Sequence, residues 1–223
     1  MDSSKAFNYE QGQFICHSYA KLGIDICDTL DDLIDLLSEQ IKNIPVLAGW
    51  TPLKNGGSSD NDNWHVTLLR GHRALYRHQI KALISLIEAE CKSVEPFNLC
   101  LDVLDVFYNF ERTKQFLVIA ERPSSHSKAG LEALKHVLKT SIDKFAIKLT
   151  GEDETRDTRA HCSLLARDLA QDPLSEEADS EKTVQLVEKL CLENIDKVPV
   201  CVARVDMIHI KVGNHVYDIR LGL

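Results

Sequence analysis

His65-Val66-Thr67-Leu68-Leu69 and His161-Cys162-Ser163-Leu164-Leu165 spell one pattern twice: a histidine, a spacer, a hydroxyl residue and two leucines. In a strand, residues two apart point to the same face. Each copy therefore sets an imidazole beside a hydroxyl and turns its spacer to the other side. Two such pairs facing each other offer two proton-transfer groups and two hydrogen-bond donors to one bound group. That set suits phosphodiester chemistry without a metal. About one accidental His-x-[Ser/Thr] is expected among nine histidines, so a pair of core histidines is the competing reading. Three features favour chemistry: both copies lie in strand-like apolar runs, both continue Leu-Leu, and both hold the same place in a repeated layout.

That layout emerges on either side of the motifs. A strand reads over Gln13 to Ala20. Leu30, Leu33, Ile34, Leu37 and Ile41 then recur at helical spacing from Asp28, a capping residue, to Lys42. A Gly/Ser/Asn loop, Asn55 to Asn63, leads into the His65 strand. A second helix runs from Arg73 to Cys91, with Ile80, Leu83, Ile84 and Ile87 on one face. Strands follow over Asn98–Tyr108 and Gln115–Glu121. The order then repeats: a helix from Ser127 to Phe145, the His161 strand, a helix from Ser180 to Glu193, and strands over Val198–Lys211 and His215–Leu221 joined at Gly213-Asn214. A pseudo-two-fold arrangement of the halves would set the two His-x-hydroxyl pairs across one cleft.

Composition narrows the function classes. A chain of 223 residues, 44% hydrophobic, can bury a substantial core in one domain or two fused lobes. No apolar run is long enough to span a bilayer, and Met1 to Ala6 lacks the apolar stretch of a secretory signal. Seven scattered cysteines suit a reducing compartment and free thiols. Neither Cys-x-x-Cys nor His-Glu-x-x-His occurs, so no motif-built metal site is expected. The formal charge of −8 argues against broad nucleic-acid binding but permits a small site that grips a few nucleotides. Gly151–Glu154 and Ser175–Asp179 hold much of the acid and read as solvated loops.

The remaining candidates weigh less. His72, His78 and His136 are expected on polar helix surfaces, and alternation can place His209 and His215 outside their hairpin. His17 and His126 lack a partner pattern. Trp64 points away from His65 and is expected in the core. Arg70, Arg112, Lys114, Arg159 and Arg167 are the basic groups that could meet a phosphate. Arg159 leads them, since it shares the face of His161 and Ser163 if the strand starts early enough.

The paired His-Val-Thr and His-Cys-Ser match the H-x-[ST] signatures of the 2H phosphoesterases. Three further segments bring the resemblance to the U6 snRNA phosphodiesterases, which trim the 3′ oligouridine tail of U6 spliceosomal RNA. Gly12-Gln13-Phe14-Ile15-Cys16-His17 resembles that family's opening strand. Asn109-Phe110-Glu111-Arg112-Thr113-Lys114-Gln115-Phe116 resembles its N-x-E-[KR]-T-[RK]-x-F string, and Lys211-Val212-Gly213-Asn214 its closing K-x-G-N hairpin. The likeness covers nearly the whole chain from Phe7. Two departures stand out. Relatives can carry an aromatic residue shortly before the second histidine, whereas Asp153 to Ala160 has none, so Phe110 or Tyr108 is the expected substitute. Residues 1–6 do not resemble the long basic N-terminal extension of some relatives.

The resemblance implies an α+β fold: a two-lobed, pseudo-symmetric 2H phosphoesterase with antiparallel sheets flanking a central cleft and helices outside. The chain would be a single domain over 1–223, with lobes of about 7–108, terminal strands exchanged, and about 109–223. It implies a metal-independent 3′-5′ RNA exonuclease, without cofactor, acting on the 3′ oligouridine end of U6 snRNA, nuclear and monomeric. His65, His161, Thr67 and Ser163 would be catalytic, and Tyr108, Asn109, Phe110, Arg159 and Ala160 would bind substrate. RNA supplies its own nucleophile, the 2′-hydroxyl, so the enzyme need only remove one proton and deliver another. Imidazole, with an ordinary pKa of about 6.5, does either near neutral pH. The motifs are near mirror images; His65 is assigned as base and His161 as acid. The product is a 2′,3′-cyclic phosphate, which the same pair could open to a monophosphate. Alternatives are a 2′,3′-cyclic-nucleotide phosphodiesterase, an RNA ligase-like 2H enzyme, and a non-catalytic RNA-binding module.

Overall fold

Two runs that read as single strands each break at an aspartate, and those breaks organise the molecule. The computed structural model describes residues 16–22, 24–44, 49–53, 64–72, 75, 77–109, 113–122, 128–149, 159–169, 181–213 and 215–222. In chain order they form β1 (Cys16–Lys21), α1 (Ile24–Lys42), β2 (Thr51–Pro52), β3 (His65–His72), α2 (Arg77–Cys91), β4 (Phe97–Leu101), β5 (Val103–Tyr108), β6 (Lys114–Ala120), α3 (Lys128–Asp143), β7 (Lys148–Leu149), β8 (His161–Asp168), α4 (Glu181–Glu193), β9 (Cys201–Val205), β10 (Met207–Val212) and β11 (His215–Arg220). Asp102 separates β4 from β5, and Asp206 separates β9 from β10. At each break the chain leaves a two-stranded β4–β9 ribbon and joins a larger sheet.

The elements from β1 to β5 recur in the same order from β6 to β10, with β11 added at the end. One sheet runs β11-β10-β1-β3-β7 and the other β2-β8-β6-β5. Each sheet is therefore composite: β10 and β11 pair beside β1, while β5 pairs beside β6. Even the two-residue edge strands are exchanged, β2 onto β8 and β7 onto β3. All the larger pairings are antiparallel. The described fold is α+β, with antiparallel sheets and helices as expected.

The helical stripe read from the sequence faces inward. Leu30, Leu33, Ile34, Leu37 and Ile41 of α1 are buried, as are Ile80, Leu83 and Ile87 of α2. The first helix starts at Ile24, one turn before the expected start, so Asp28 lies inside it and does not cap. Helix α1 packs on β8 and α3 on β3, which crosses the halves once more. Both sheets contribute to a single large core that includes Trp64, Val66 and Cys162. Gly213, with φ at 59°, turns β10 into β11, a backbone conformation that favours glycine.

Candidate active site

Each motif strand alternates over its first four residues and then abandons alternation. His65, Thr67, His161 and Ser163 are half-buried, whereas Val66, Leu68, Leu69, Cys162, Leu164 and Leu165 are buried. Two consecutive buried leucines conflict with a period of two. The register explains them. In β3 Thr67 pairs with Tyr19 and Leu69 with Ser18; in β8 Ser163 pairs with Val118 and Leu165 with Leu117. Leu68 and Leu164 are the extra residues of two β-bulges at equivalent positions. A bulge sets two residues against one and re-aims the strand, a device common beside active sites. Here it lets both leucines enter the core, where each contributes roughly 1.5–3 kcal/mol. The Leu-Leu ending is thus the sequence mark of a bulge that follows the hydroxyl.

Strands β3 and β8 pack against each other. The buried spacer of one motif lies close to the other, the Cys162 thiol being near the backbone of His65. Burial pushes that thiol far up, so it serves as a small packed group and not as a nucleophile. Because the spacers enter the shared core, both His-hydroxyl pairs stand on the opposite surfaces of their sheets, beside the β3–β8 seam.

The surroundings of the two imidazoles differ. His161 Nδ1 lies 3.2 Å from the carbonyl oxygen of Arg159. A carbonyl only accepts, so Nδ1 donates and the working lone pair belongs to Nε2. Phe107 meets the His161 ring edge-on, 4.6 Å between centroids. It joins Phe116, Val118 and Ala120 in a small apolar cluster separate from the main core. The Arg159 guanidinium lies 5.4 Å over Phe107 and is bonded to Asp105 at 2.8 Å. On the other side, Tyr19 stands 5.0 Å from His65. His209 stacks 5.2 Å from Tyr19, and its Nδ1 lies 2.7 Å from Asp218.

The sequence-derived substrate residues divide. Arg159 joins the seam, as its position two residues before His161 required, and the backbone carbonyl of Ala160 accepts from Glu121 N–H. Asn109 holds the β5–β6 turn: its amide donates to Thr113 Oγ1 at 2.8 Å and accepts from Lys114 N–H at 2.8 Å. Tyr108 pairs with Gln115, on the face opposite Phe107, and its hydroxyl accepts from Gln115 Nε2. Phe110 and Arg112 lie outside the described residues, as do His126 and the acidic stretches. Arg167, a phosphate candidate, is buried on the core side and lies away from the seam. His78, His136 and His215 are exposed. His209, which alternation allowed outside, is 8% exposed, because Tyr19 of the neighbouring strand covers it. Phe107, Tyr19 and His209 carry no motif; only the strand register could have revealed them. Among the described residues, no group of three or more His, Cys, Asp or Glu side chains is set to hold a metal. No described helix is long and apolar enough to cross a membrane.

A family model, HVSL, described as an uncharacterised conserved protein, matches residues 3–220. The chain belongs to the HVSL family. The fold is similar to that of Usb1 from Kluyveromyces marxianus, at 15% identity and a TM-score of 0.59, with 92% of this chain and 97% of that one covered. Usb1 of the same organism with uridine monophosphate gives the same identity and score over 92% and 98%. Escherichia coli LigT with 3′-AMP is similar over 93% of this chain and 95% of that one, at 15% identity and a TM-score of 0.50. No curated protein is significantly similar in sequence. At such identities the structural likeness speaks to the fold, and the site's chemistry rests on this chain's own residues.

Proposed function

We propose that this protein is a metal-independent 3′-5′ RNA phosphodiesterase that removes 3′-terminal uridines from U6 snRNA and leaves a 2′,3′-cyclic phosphate. The observation that carries the reading is the duplicated His-x-hydroxyl pair, half-buried in both copies, followed by a bulge at the same position in both, and carried on two strands that pack against each other. Membership of the HVSL family supports it.

In the proposed reaction His65 takes the proton of the 2′-hydroxyl, whose oxygen attacks the adjacent phosphorus. His161 gives a proton from Nε2 to the departing 5′-oxygen. Thr67 and Ser163 donate hydrogen bonds to the non-bridging oxygens as charge builds there. Arg159 exchanges part of its contact with Asp105 for the phosphate. Ala160 contributes through its backbone, and Tyr108, Asn109 and Phe110 bind the RNA. With water in place of the leaving nucleoside and the two histidines exchanging roles, the same site opens the cyclic phosphate. Family membership also underlies the proposals of a role in splicing-RNA maturation, of nuclear location, and of a single chain as the working unit.

The test is a time course on 5′-labelled RNA ending in uridines, in excess EDTA, beside a substrate with a 2′-deoxy sugar at the penultimate position. Stepwise shortening that stops at the deoxy position is expected, with product ends resistant to phosphatase until acid treatment. Cleavage past the deoxy sugar would exclude 2′-hydroxyl attack. Opening of a cyclic mononucleotide with no action on RNA would make the protein a small-molecule phosphodiesterase.

A further inference from the structure

On the His65 side of the seam, one register row crosses four strands: Thr67 on β3 pairs with Tyr19 on β1, Tyr19 with His209 on β10, and His209 with Asp218 on β11. Directly paired residues share a face, so all four stand on the surface that carries His65. The rings are in contact along this row. His209 stacks on Tyr19 at 5.2 Å with 28° between planes, and Tyr19 lies 5.0 Å from the His65 ring. Asp218 closes the row with a 2.7 Å bond to His209 Nδ1. Its side chain is 62% exposed, against 10% for His209.

The other half shows that the fold does not require this row. There the equivalent line runs Ser163, Val118, Asp105, with a short aliphatic group where Tyr19 stands. An aliphatic pair would fill the Tyr19–His209 space without burying an imidazole that needs a partner. The paired rings of Tyr19 and His209 belong to the His65 row, with Tyr19 in contact with His65 and a carboxylate anchoring the row from outside, whereas the ring that meets His161, Phe107, stands outside the equivalent row.

We infer that Asp218, His209 and Tyr19 form a brace of positioning residues that fixes the orientation of the His65 imidazole. Asp218 accepts from His209 Nδ1–H and holds that ring flat on Tyr19; Tyr19, locked between the two imidazoles, fixes the wall against which His65 rests. An imidazole so held transfers its proton along one direction, and small misplacements of a reacting group are costly. The inference deepens the proposed reaction, whose base it orients, but its physical core concerns a ring orientation that can be read without turnover.

Asp218→Ala removes the acceptor from an exposed position, and Asp218→Asn restores one. Two readouts are taken on the full chain: nitrogen-15 imidazole resonances of His65, and kcat and KM on a short oligouridine RNA. Asp218→Ala is expected to shift the His65 ring resonances and lower kcat about tenfold with KM unchanged. Asp218→Asn is expected to restore both. His65 resonances in Asp218→Ala that match the parent would overturn the brace, as would a change confined to KM, or an Asn variant as impaired as the Ala variant. A Tm drop that scaled with the kcat loss and that Asn did not reverse would make the row structural only. If the parent protein leaves RNA intact, the proposed function fails, while the resonance comparison still decides the brace.

Discussion

The two halves of this molecule share strand order, bulge position and motif, yet they support their histidines by different means. In the half that carries His161, the ring is tied by its own backbone, through the Arg159 carbonyl at 3.2 Å, and flanked by Phe107. In the half that carries His65, support comes from neighbouring strands, through Tyr19 and His209. The difference teaches that the two halves keep one placement of the histidine and hydroxyl groups while the walls around them differ. A backbone anchor fixes a tautomer, so His161 presents Nε2. A wall of rings fixes a plane. Two near-identical motifs can thereby be given different tasks, base and acid, without altering a motif residue.

The most severe break in the symmetry is removal of either imidazole. His65→Ala and His161→Ala are each expected to lower turnover on the order of 10²–10⁴-fold with the thermal midpoint nearly kept, since neither side chain belongs to the core cluster. Quantitative end-labelled gels on both variants check this, and near-normal activity in either would end the paired acid–base reading. Next come the hydroxyls. Thr67→Val and Ser163→Ala are each expected to cost on the order of 10²–10³ in kcat, the scale seen when one preorganised donor is removed. A large loss at one hydroxyl and none at the other would show that the halves do not share the phosphate equally.

The bulges are tested through stability. Leu68→Ala and Leu164→Ala each delete a side chain at most 1% exposed, so each is expected to cost about 2–5 kcal/mol in chemical denaturation. Similar costs at both sites are expected if the bulges are structural equivalents. A value below about 1 kcal/mol at either would mean that its leucine does not fill the core as a bulge residue should.

The sequence was most legible where a period was unbroken. The α1 and α2 stripes and the alternation of the two motifs led directly to buried and open faces. Legibility failed where backbone geometry changed without a change in residue type. Asn98 to Tyr108 reads as one strand because a chain that moves between sheets remains extended; only Asp102, whose N–H donates to the Ala120 carbonyl, marks the transfer. The edge strands β2 and β7 are two residues long and too short to carry a period. His209 was hidden because burial on one strand depends on what the adjacent strand presents, and β1 presents Tyr19. At the site, the four motif residues were readable from spacing. Phe107, Tyr19 and His209 were not, since their proximity to the imidazoles comes from register between strands far apart in sequence.

The finest test concerns the spacers, Val66 in one motif and Cys162 in the other, at equivalent buried positions. Cys162→Val makes the motifs alike at that position. Near pH 7 it is expected to change stability by no more than about 1 kcal/mol, since the swap is close to volume-conserving. Alkaline pH separates the two forms. Burial holds the Cys162 thiol far above its ordinary value of 9.0, whereas the unfolded thiol ionises near that value. The folded state then keeps a proton that the unfolded state gives up. The thiol's contribution is therefore complete below pH 9 and declines as pH rises beyond it. Cys201, pushed up to about 11, and Cys91 and Cys191, pushed up to about 12, act in the same direction in both proteins. Urea midpoints measured from pH 7 to pH 11 are thus expected to fall for both, more steeply for the parent than for Cys162→Val. Parallel curves would mean that the Cys162 thiol meets enough water to ionise in place, and that the contact between the two motifs is looser than the burial of Cys162 implies.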